Sequence, residues 1–301
     1  MTERTRASID AALQLLVDDL IASFDSVEGT WKPCWSTGRL FPHNAVTGID
    51  YRGINTLMLW AAQIKNEYHS PRWATFRMWQ SIGGQVRKGE HSTWGVKWVD
   101  IVDKKDPDNL RRVPKVFHLF NAAQVEGADE LGEAASVPSN HWFQHFEDFR
   151  TAVPYRWVVG TPMYVPSRDV VSMPPMEQFD TPEEWAQTLC HELGHWTGHE
   201  SRLDRKPQSR HAGIQAYAFE ELVAEISASM TCAWLQIPGE IFREDHVRYV
   251  RSWLKSLKDD PGILFSAALA AQRATDHLVA YSQPKEAPCP TDAATLSASF
   301  L

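Results

Sequence analysis

The chain has 301 residues, 43% hydrophobic and 23% charged, which excludes wholesale disorder or a fibrous repeat and leaves room for two domains. No apolar run approaches the ~18 residues of a membrane span and the start, MTERTRASID, lacks the apolar stretch of a secretory signal, so a soluble cytoplasmic protein with no membrane partner is expected. The net charge of −8 argues against nucleic acid as a partner, but it is unevenly spread: residues 30–120 carry 14 Lys and Arg against 7 Asp and Glu, a balance of +7, which leaves −15 on the other 210 residues.

Residues 8–24 are expected to form an amphipathic helix, with Ile9, Leu13, Leu16, Val17, Leu20 and Phe24 at helical spacing. From Trp31 to Val125, Gly and Pro punctuate short segments. Trp94, Val96 and Trp98 alternate as in a half-buried strand, and Val116 to Asn121 reads as another. Between Glu126 and Asn140 the residues are small and acidic with little to bury, as in a linker. Strand-like runs follow around Val158 and Val170, and then helices dominate. Thr181, Pro182 and Glu184 supply an N-cap, a first-turn proline and a capping-box glutamate for a helix running through His195, with Gly198 placed to stop it. Further helices are expected from Tyr217 to Leu235 and from Asp260/Pro261 to Tyr281. The expected fold class is α+β, with a mixed α/β domain at 1–127, a linker at 128–140, a mainly helical domain at 141–285 and a loose tail at 286–301.

The first domain interleaves seven of the thirteen tryptophans with cations. Aromatic faces that stack on unpaired bases, beside Lys and Arg that follow phosphates, suit single-stranded nucleic acid bound with little sequence preference. Candidate contacts are Trp35, Tyr51, Arg52, Asn55, Arg72, Trp73, Arg77, Arg87 and Lys88, the last two in the glycine-rich loop from Gly83 to Glu90. About half of the seven rings must instead fill a core, and the loop reads equally well as a plain charged hairpin.

The four cysteines form no C-x-x-C pair, so a metal site must use His and carboxylates. His191-Glu192-Leu193-Gly194-His195 is H-E-x-x-H inside an expected helix. Residues four apart lie one turn above each other, so both imidazoles can reach one Zn²⁺, with Mn²⁺ or another divalent transition metal as alternatives, while Glu192 serves as general base for water. Peptide-bond hydrolysis is the implied reaction class. Such a site needs a third protein ligand. His199 lies eight residues along, ~12 Å on a straight helix, too far from His191 for bonds of ~2.0 Å. The alternative that turns at a glycine requires histidine where Ser201 stands. The acidic segment Phe219 to Glu225 remains. It resembles the N-E-x-x-S-D helix of thermolysin-like enzymes, which makes Glu221 the expected ligand and Glu225 the carboxylate that orients a ligand histidine. Tyr217, one turn before Glu221, is a candidate donor to the oxyanion or simply a packing tyrosine.

Several of these segments together resemble ArdC-type antirestriction proteins: Tyr51-Arg52-Gly53-Ile54-Asn55, Pro71 to Phe76, Gly83 to Glu90 and Phe120-Asn121 in the first half, and His191 to His199, Ser201-Arg202-Leu203 and Tyr217 to Glu225 in the second. The resemblance implies a single-stranded-DNA-binding domain followed by a zincin-like (gluzincin) metallopeptidase domain. It also implies a plasmid or mobile-element protein that protects incoming DNA from restriction, with a protein substrate that is not specified and could be a host restriction or DNA-associated factor. The alternative function is a non-enzymatic protector of single strands with a structural metal site. A metalloprotease toxin fits less well, because no delivery segment is visible.

Overall fold

The computed structural model describes residues 41–103, 106–128, 131, 141–205, 214–238 and 262–282, together with Gln14 and Asp18. Apart from Gln14 and Asp18, the helix expected at 8–24 lies outside the described residues, as do Trp35, nearly all of the expected linker and the tail.

The N-terminal half is mixed. Strand β1 (His43–Asn44) leads to helix α1 (Ile54–Lys65), strand β2 (Arg72–Ala74), the short helix α2 (Phe76–Ser81) and strand β3 (Gln85–Val86). A long hairpin follows, β4 (Thr93–Asp103) with β5 (Asp106–Asn121), then a 3-10 turn and β6 (Val125–Glu126). The sheet order is β1-β2-β5-β4, with β1 parallel to β2 and the other pairs antiparallel. Within the hairpin Gly95 lies opposite Phe117, and a Cβ on Gly95 would stand 2.6 Å from the Phe117 ring, so the ring lies over the bare backbone. The strand expected through Trp94, Val96 and Trp98 is present as β4, but burial does not alternate along it: Gly95 and Val96 are both buried, Trp94 packs at the core margin, and Lys97 and Trp98 are both exposed, Trp98 at 46% in an edge-to-face contact with Phe265.

The C-terminal half begins with α3 (Trp142–Ala152), continues through β7 (Trp157–Val159), β8 (Met163–Val165) and β9 (Val170–Met173), and is completed by α4 (Pro182–Trp196), α5 (Ile214–Leu235) and α6 (Gly262–Val279). In this small sheet β9 is central, parallel to β7 and antiparallel to β8. Phe146, Phe149, Val171, Met173, Leu189 and Leu193 are buried between the sheet and helices α3 and α4. Cys190 and Cys232 are buried free thiols in the same core. No described helix is long and apolar enough to cross a membrane.

The two halves share a core. Ile54, Leu57, Met58 and Trp60 of α1 are buried against Leu222, Val223, Ile226 and Met230 of α5 and Leu264, Ala268 and Ala271 of α6. The Tyr51 to Asn55 segment is the fastening at this junction. Arg52 pairs with Asp276 and the Gly53 N–H donates to Gln272 Oε1 at 2.9 Å across it, while within the first half the Asn55 side chain both donates to and accepts from the Val96 backbone of β4 at 2.8 and 2.7 Å. Gly53 caps α1 with φ 59° and ψ −127°, a conformation closed to L side chains. A Gly53→Ala substitution should therefore lower stability by about 1–3 kcal/mol. Urea unfolding would measure it, and an unchanged midpoint would show that the junction tolerates a Cβ.

Candidate metal centre

Helix α4 starts as its sequence dictates. Thr181 Oγ1 accepts the Glu184 N–H at 3.2 Å, Pro182 occupies the first turn, and the Trp185 indole donates to Pro174 O at 2.8 Å. Its end falls where Gly198 was placed to stop it, with Trp196 as the last helical residue. Gly198 does not adopt a left-handed φ, and the cap residue, Thr197, keeps helical angles. The chain instead folds back, with Leu203 N–H donating to Thr197 O and Arg205 N–H to Gly198 O. Gly198 matters for space: a Cβ there would lie 2.7 Å from Arg205 Nη2 and 3.1 Å from Glu220 Oε1.

A second glycine sets the distance between α4 and α5. A Cβ on Gly194 would stand 2.6 Å from Ser227 Oγ and 3.0 Å from Ala224 Cα, so the helices cross with almost no side chain between them. This close crossing brings the carboxylates of α5 up to the imidazoles of α4. His191 Nε2 and His195 Nε2 are 3.2 Å apart. Glu221 faces both, with Oε1 3.5 Å from His195 Nε2 and Oε2 3.7 Å from His191 Nε2. The opposite ring nitrogens meet other carboxylates: His191 Nδ1 lies 3.5 Å from Glu225 Oε1, and His195 Nδ1 lies 3.5 Å from Glu220 Oε1. Glu192 is buried beside the pair.

Among the described residues, His191, His195 and Glu221 form a group that could hold a metal ion. Bonds of ~2.0–2.1 Å at tetrahedral angles separate two ligand atoms by roughly 3.3 Å. The Nε2–Nε2 distance of 3.2 Å and the Nε2–carboxylate distance of 3.5 Å fit that requirement. The electrostatics suit a cation as well. Burial opposes a charge on His195, but the facing Glu220 and Glu221 overcome it and raise its pKa to about 10. Burial pushes Glu221 up, yet the two imidazoles hold it well below the ordinary carboxylate range.

His199 takes no part in the cluster, and its Nδ1 lies 2.8 Å from Ser201 Oγ. Tyr217 is 58% exposed in the first turns of α5. Glu220 and Arg205 were not singled out as site residues from sequence. Glu220 carried a signal in its adjacency to Glu221, whereas Arg205 sits in a loop with no motif around it.

Arg202 anchors the end of α4 to the small sheet. Its Nε donates to Trp196 O at 2.6 Å, its guanidinium stacks 3.9 Å from the Trp196 ring centroid, and it pairs with Asp169, which also accepts from Tyr164 at 2.9 Å. The Arg202 hydrogen bond holds the Asp169 carboxyl below its usual range. A carboxyl whose folded pKa is depressed contributes stability above its unfolded value of ~3.9 and loses it as pH falls through the folded pKa. Asp169→Asn keeps the left-handed backbone accessible, since φ at 169 is 49° and Asn tolerates that region. The wild type should therefore melt higher than Asp169→Asn at pH 7, and the gap should narrow as pH falls below ~3.9 and vanish once the carboxyl is protonated in the folded state too. A gap that persists there would mean the ion pair is not its source.

The candidate nucleic-acid contacts are divided by the structure. Arg72 is buried and donates to Ala128 O, and Trp73 is 0% exposed with its ring edge-on to Tyr68, so neither presents a face to a ligand in this conformation. Tyr51 donates to Trp73 O, Arg52 pairs with Asp276 of the second half, and Asn55 is bonded to the Val96 backbone within the first half. Arg87 pairs with Glu90. Arg77 and Lys88 are exposed, and Phe76, adjacent to Arg77, is an exposed ring.

Residues 10–136 match the family model for the N-terminal domain of anti-restriction factor ArdC, and residues 141–270 match the model for a zincin-like metallopeptidase. A Sinorhizobium fredii protein, y4eC, is 32% identical, with 91% of this chain and 94% of that protein aligned. The Escherichia coli DNA primase TraC is 31% identical over 94% of this chain, which spans only 28% of the primase. Among solved structures, the Mn(II)-bound antirestriction ArdC protein from plasmid R388 superposes with a TM-score of 0.73 at 37% identity, covering 90% of this chain and 97% of that one. The metal-free form of the same protein gives the same TM-score at 36% identity. With both domain models matched in order and near-complete coverage of a solved relative, the chain belongs to the ArdC family of antirestriction proteins.

Proposed function

We propose that this protein is a metal-dependent peptidase joined to a module for single-stranded DNA, with the DNA module near residues 1–127 and the peptidase near 141–285, acting in the cytoplasm to protect incoming plasmid or mobile-element DNA. The observation that carries the reading is the convergence of His191 Nε2, His195 Nε2 and Glu221 beside the buried Glu192. The Mn(II) in the R388 relative supports a divalent ion, with Zn²⁺ equally suited to the donor set. Relatives named for antirestriction and for priming DNA support a DNA-directed role.

In this reading His191, His195 and Glu221 hold the ion, and Glu225 orients His191 through Nδ1. A bound divalent ion supplies Lewis acidity, lowering the pKa of water toward ~7 and polarising a carbonyl. Glu192 accepts the proton of the attacking water and returns it to the leaving amine. Tyr217 donates a hydrogen bond to the carbonyl oxygen as charge develops there. Tethering to a strand raises the local concentration of protein targets at incoming DNA, so a weak peptidase can act selectively.

The test combines metal removal with DNA binding. Purified protein should contain a divalent metal, and it should cleave host DNA-associated proteins in the presence of single-stranded DNA. Exhaustive chelation should abolish cleavage, and re-addition of Zn²⁺ or Mn²⁺ should restore it. Arg77→Ala with Lys88→Ala should flatten the salt dependence of single-strand binding by about two counterions at ~0.7 each. Protection of DNA that survives complete metal loss would favour the purely DNA-binding alternative.

A further inference from the structure

The His195 side of the cluster contains a charged pair with no assigned role. Glu220 faces His195 Nδ1 at 3.5 Å, and both its oxygens are taken by one guanidinium, with Arg205 Nη2 to Oε1 at 2.5 Å and Nε to Oε2 at 3.1 Å. Arg205 is the end of the described loop that follows α4, and its side chain is only 10% exposed. The same guanidinium donates to Thr197 Oγ1 at 2.5 Å and to Gly194 O at 2.7 Å, so it grips the last turn of α4 and the facing carboxylate of α5 together. Gly194 and Gly198 both leave room here. A side chain at the first would separate the helices, and one at the second would stand where the Arg205–Glu220 pair lies.

A histidine that ligates through Nε2 must carry its proton on Nδ1, and a carboxylate on that side fixes both the tautomer and the ring plane. A glutamate has three rotatable bonds and does not hold one aim unless something fixes it. The planar fork of an arginine does so bidentately, which a lysine cannot match.

Resting on the metal-site reading above, we propose that Arg205 is a positioning residue for the candidate metal centre: it locks Glu220 against His195 Nδ1, so that His195 presents Nε2 to the ion. The site is then held from both flanks, by Glu225 behind His191 and by the Arg205–Glu220 pair behind His195. The arginine also balances the charge of Glu220 next to a cluster already rich in carboxylates.

The experiment measures Zn²⁺ affinity of the full chain by competition with a chromophoric chelator, for wild type, Arg205→Ala, Arg205→Lys, Glu220→Ala and the Arg205→Ala/Glu220→Ala double variant. Long-range ¹⁵N correlation of the imidazoles reports the His195 tautomer, and thermal melting of the metal-free proteins reports folding. Arg205→Ala should weaken Zn²⁺ about 10- to 100-fold and, in the Zn²⁺-loaded protein, reduce the share of His195 that ligates through Nε2 with its proton on Nδ1. Arg205→Lys should regain part of that loss, Glu220→Ala should reproduce it, and the double variant should lose no more than either single one. Should Arg205→Ala fail to fold, Glu220→Ala with the arginine intact carries the same prediction. Wild-type affinity and an unchanged tautomer in the folded variants, whatever their melting temperatures, would overturn the proposal and leave Arg205 a structural staple. Losses that simply add in the double variant would also overturn it. A wild type that binds neither Zn²⁺ nor Mn²⁺ would instead overturn the metal-site reading itself.

Discussion

Replacing Glu192 by Ala, or by the isosteric Gln, should leave bound metal in place and lower peptide hydrolysis by about 10²- to 10⁴-fold, the range that a positioned general base contributes. The residue adjoins His191 in sequence and is buried in the same helix, but it is not one of the three groups placed to hold the ion. Its removal therefore separates catalysis from binding. The Gln variant is the sharper test, because it preserves volume and removes only the ability to take a proton. Metal analysis on the same samples used for the cleavage assay would check it. Wild-type turnover in Glu192→Gln with metal retained would remove Glu192 from the role of general base.

The second large effect concerns metal retention. Glu221→Ala removes the carboxylate that spans both histidines, at 3.5 and 3.7 Å. Its cost in metal affinity should exceed the ~10- to 100-fold expected when a group that only orients a ligand is lost, which is the expectation for Glu225→Ala. His199→Ala should leave affinity unchanged, because that ring is engaged with Ser201 and lies outside the cluster. Competition with a chelator would rank the three variants. If His199→Ala proved the most damaging, the ligand set built on α5 would be wrong, and a rearranged α4 terminus would have to supply the third donor.

The two site helices were readable because their signals are local. A cap, a first-turn proline and a four-residue histidine spacing act within one or two turns, and the structure places that helix within a residue of the expected end, with Trp196 as its last residue. The helix of Glu221 and Glu225 was likewise expected from Tyr217 to Leu235 and spans Ile214–Leu235. Strand identity was partly readable. The alternation at Trp94, Val96 and Trp98 marked β4, but the long pairing of β4 with β5 is a contact between two segments and has no signature in either alone.

The polar and aromatic residues of the first half were harder to interpret. Tyr51, Arg52 and Asn55 have the chemistry of a nucleic-acid contact, and a sequence does not reveal that Asn55 is spent on the β4 backbone or Arg52 on Asp276. Trp73 could as well stack on a base as fill a core until the fold seals it beneath Tyr68. Glycine roles were similarly ambiguous. Gly198 reads as a helix stop, and the helix does end just before it, but without a left-handed φ, and the missing side chain also leaves space for a salt bridge.

The sequence by itself determined the helix that carries the two histidines, the spacing that puts them on one face, and the acidic helix able to oppose them, because each depends on residues within a few turns of one another. Only the tertiary structure decided that Gly194 lets those helices close until Glu221 meets both rings, that Arg205 backs Glu220 at His195, and that α1 of the first half shares a core with the helix bearing Glu221. Periodicity shows that a helix has an apolar face. Which face of which distant segment covers it depends on shape and volume across the whole chain, and that is settled only when the segments pack.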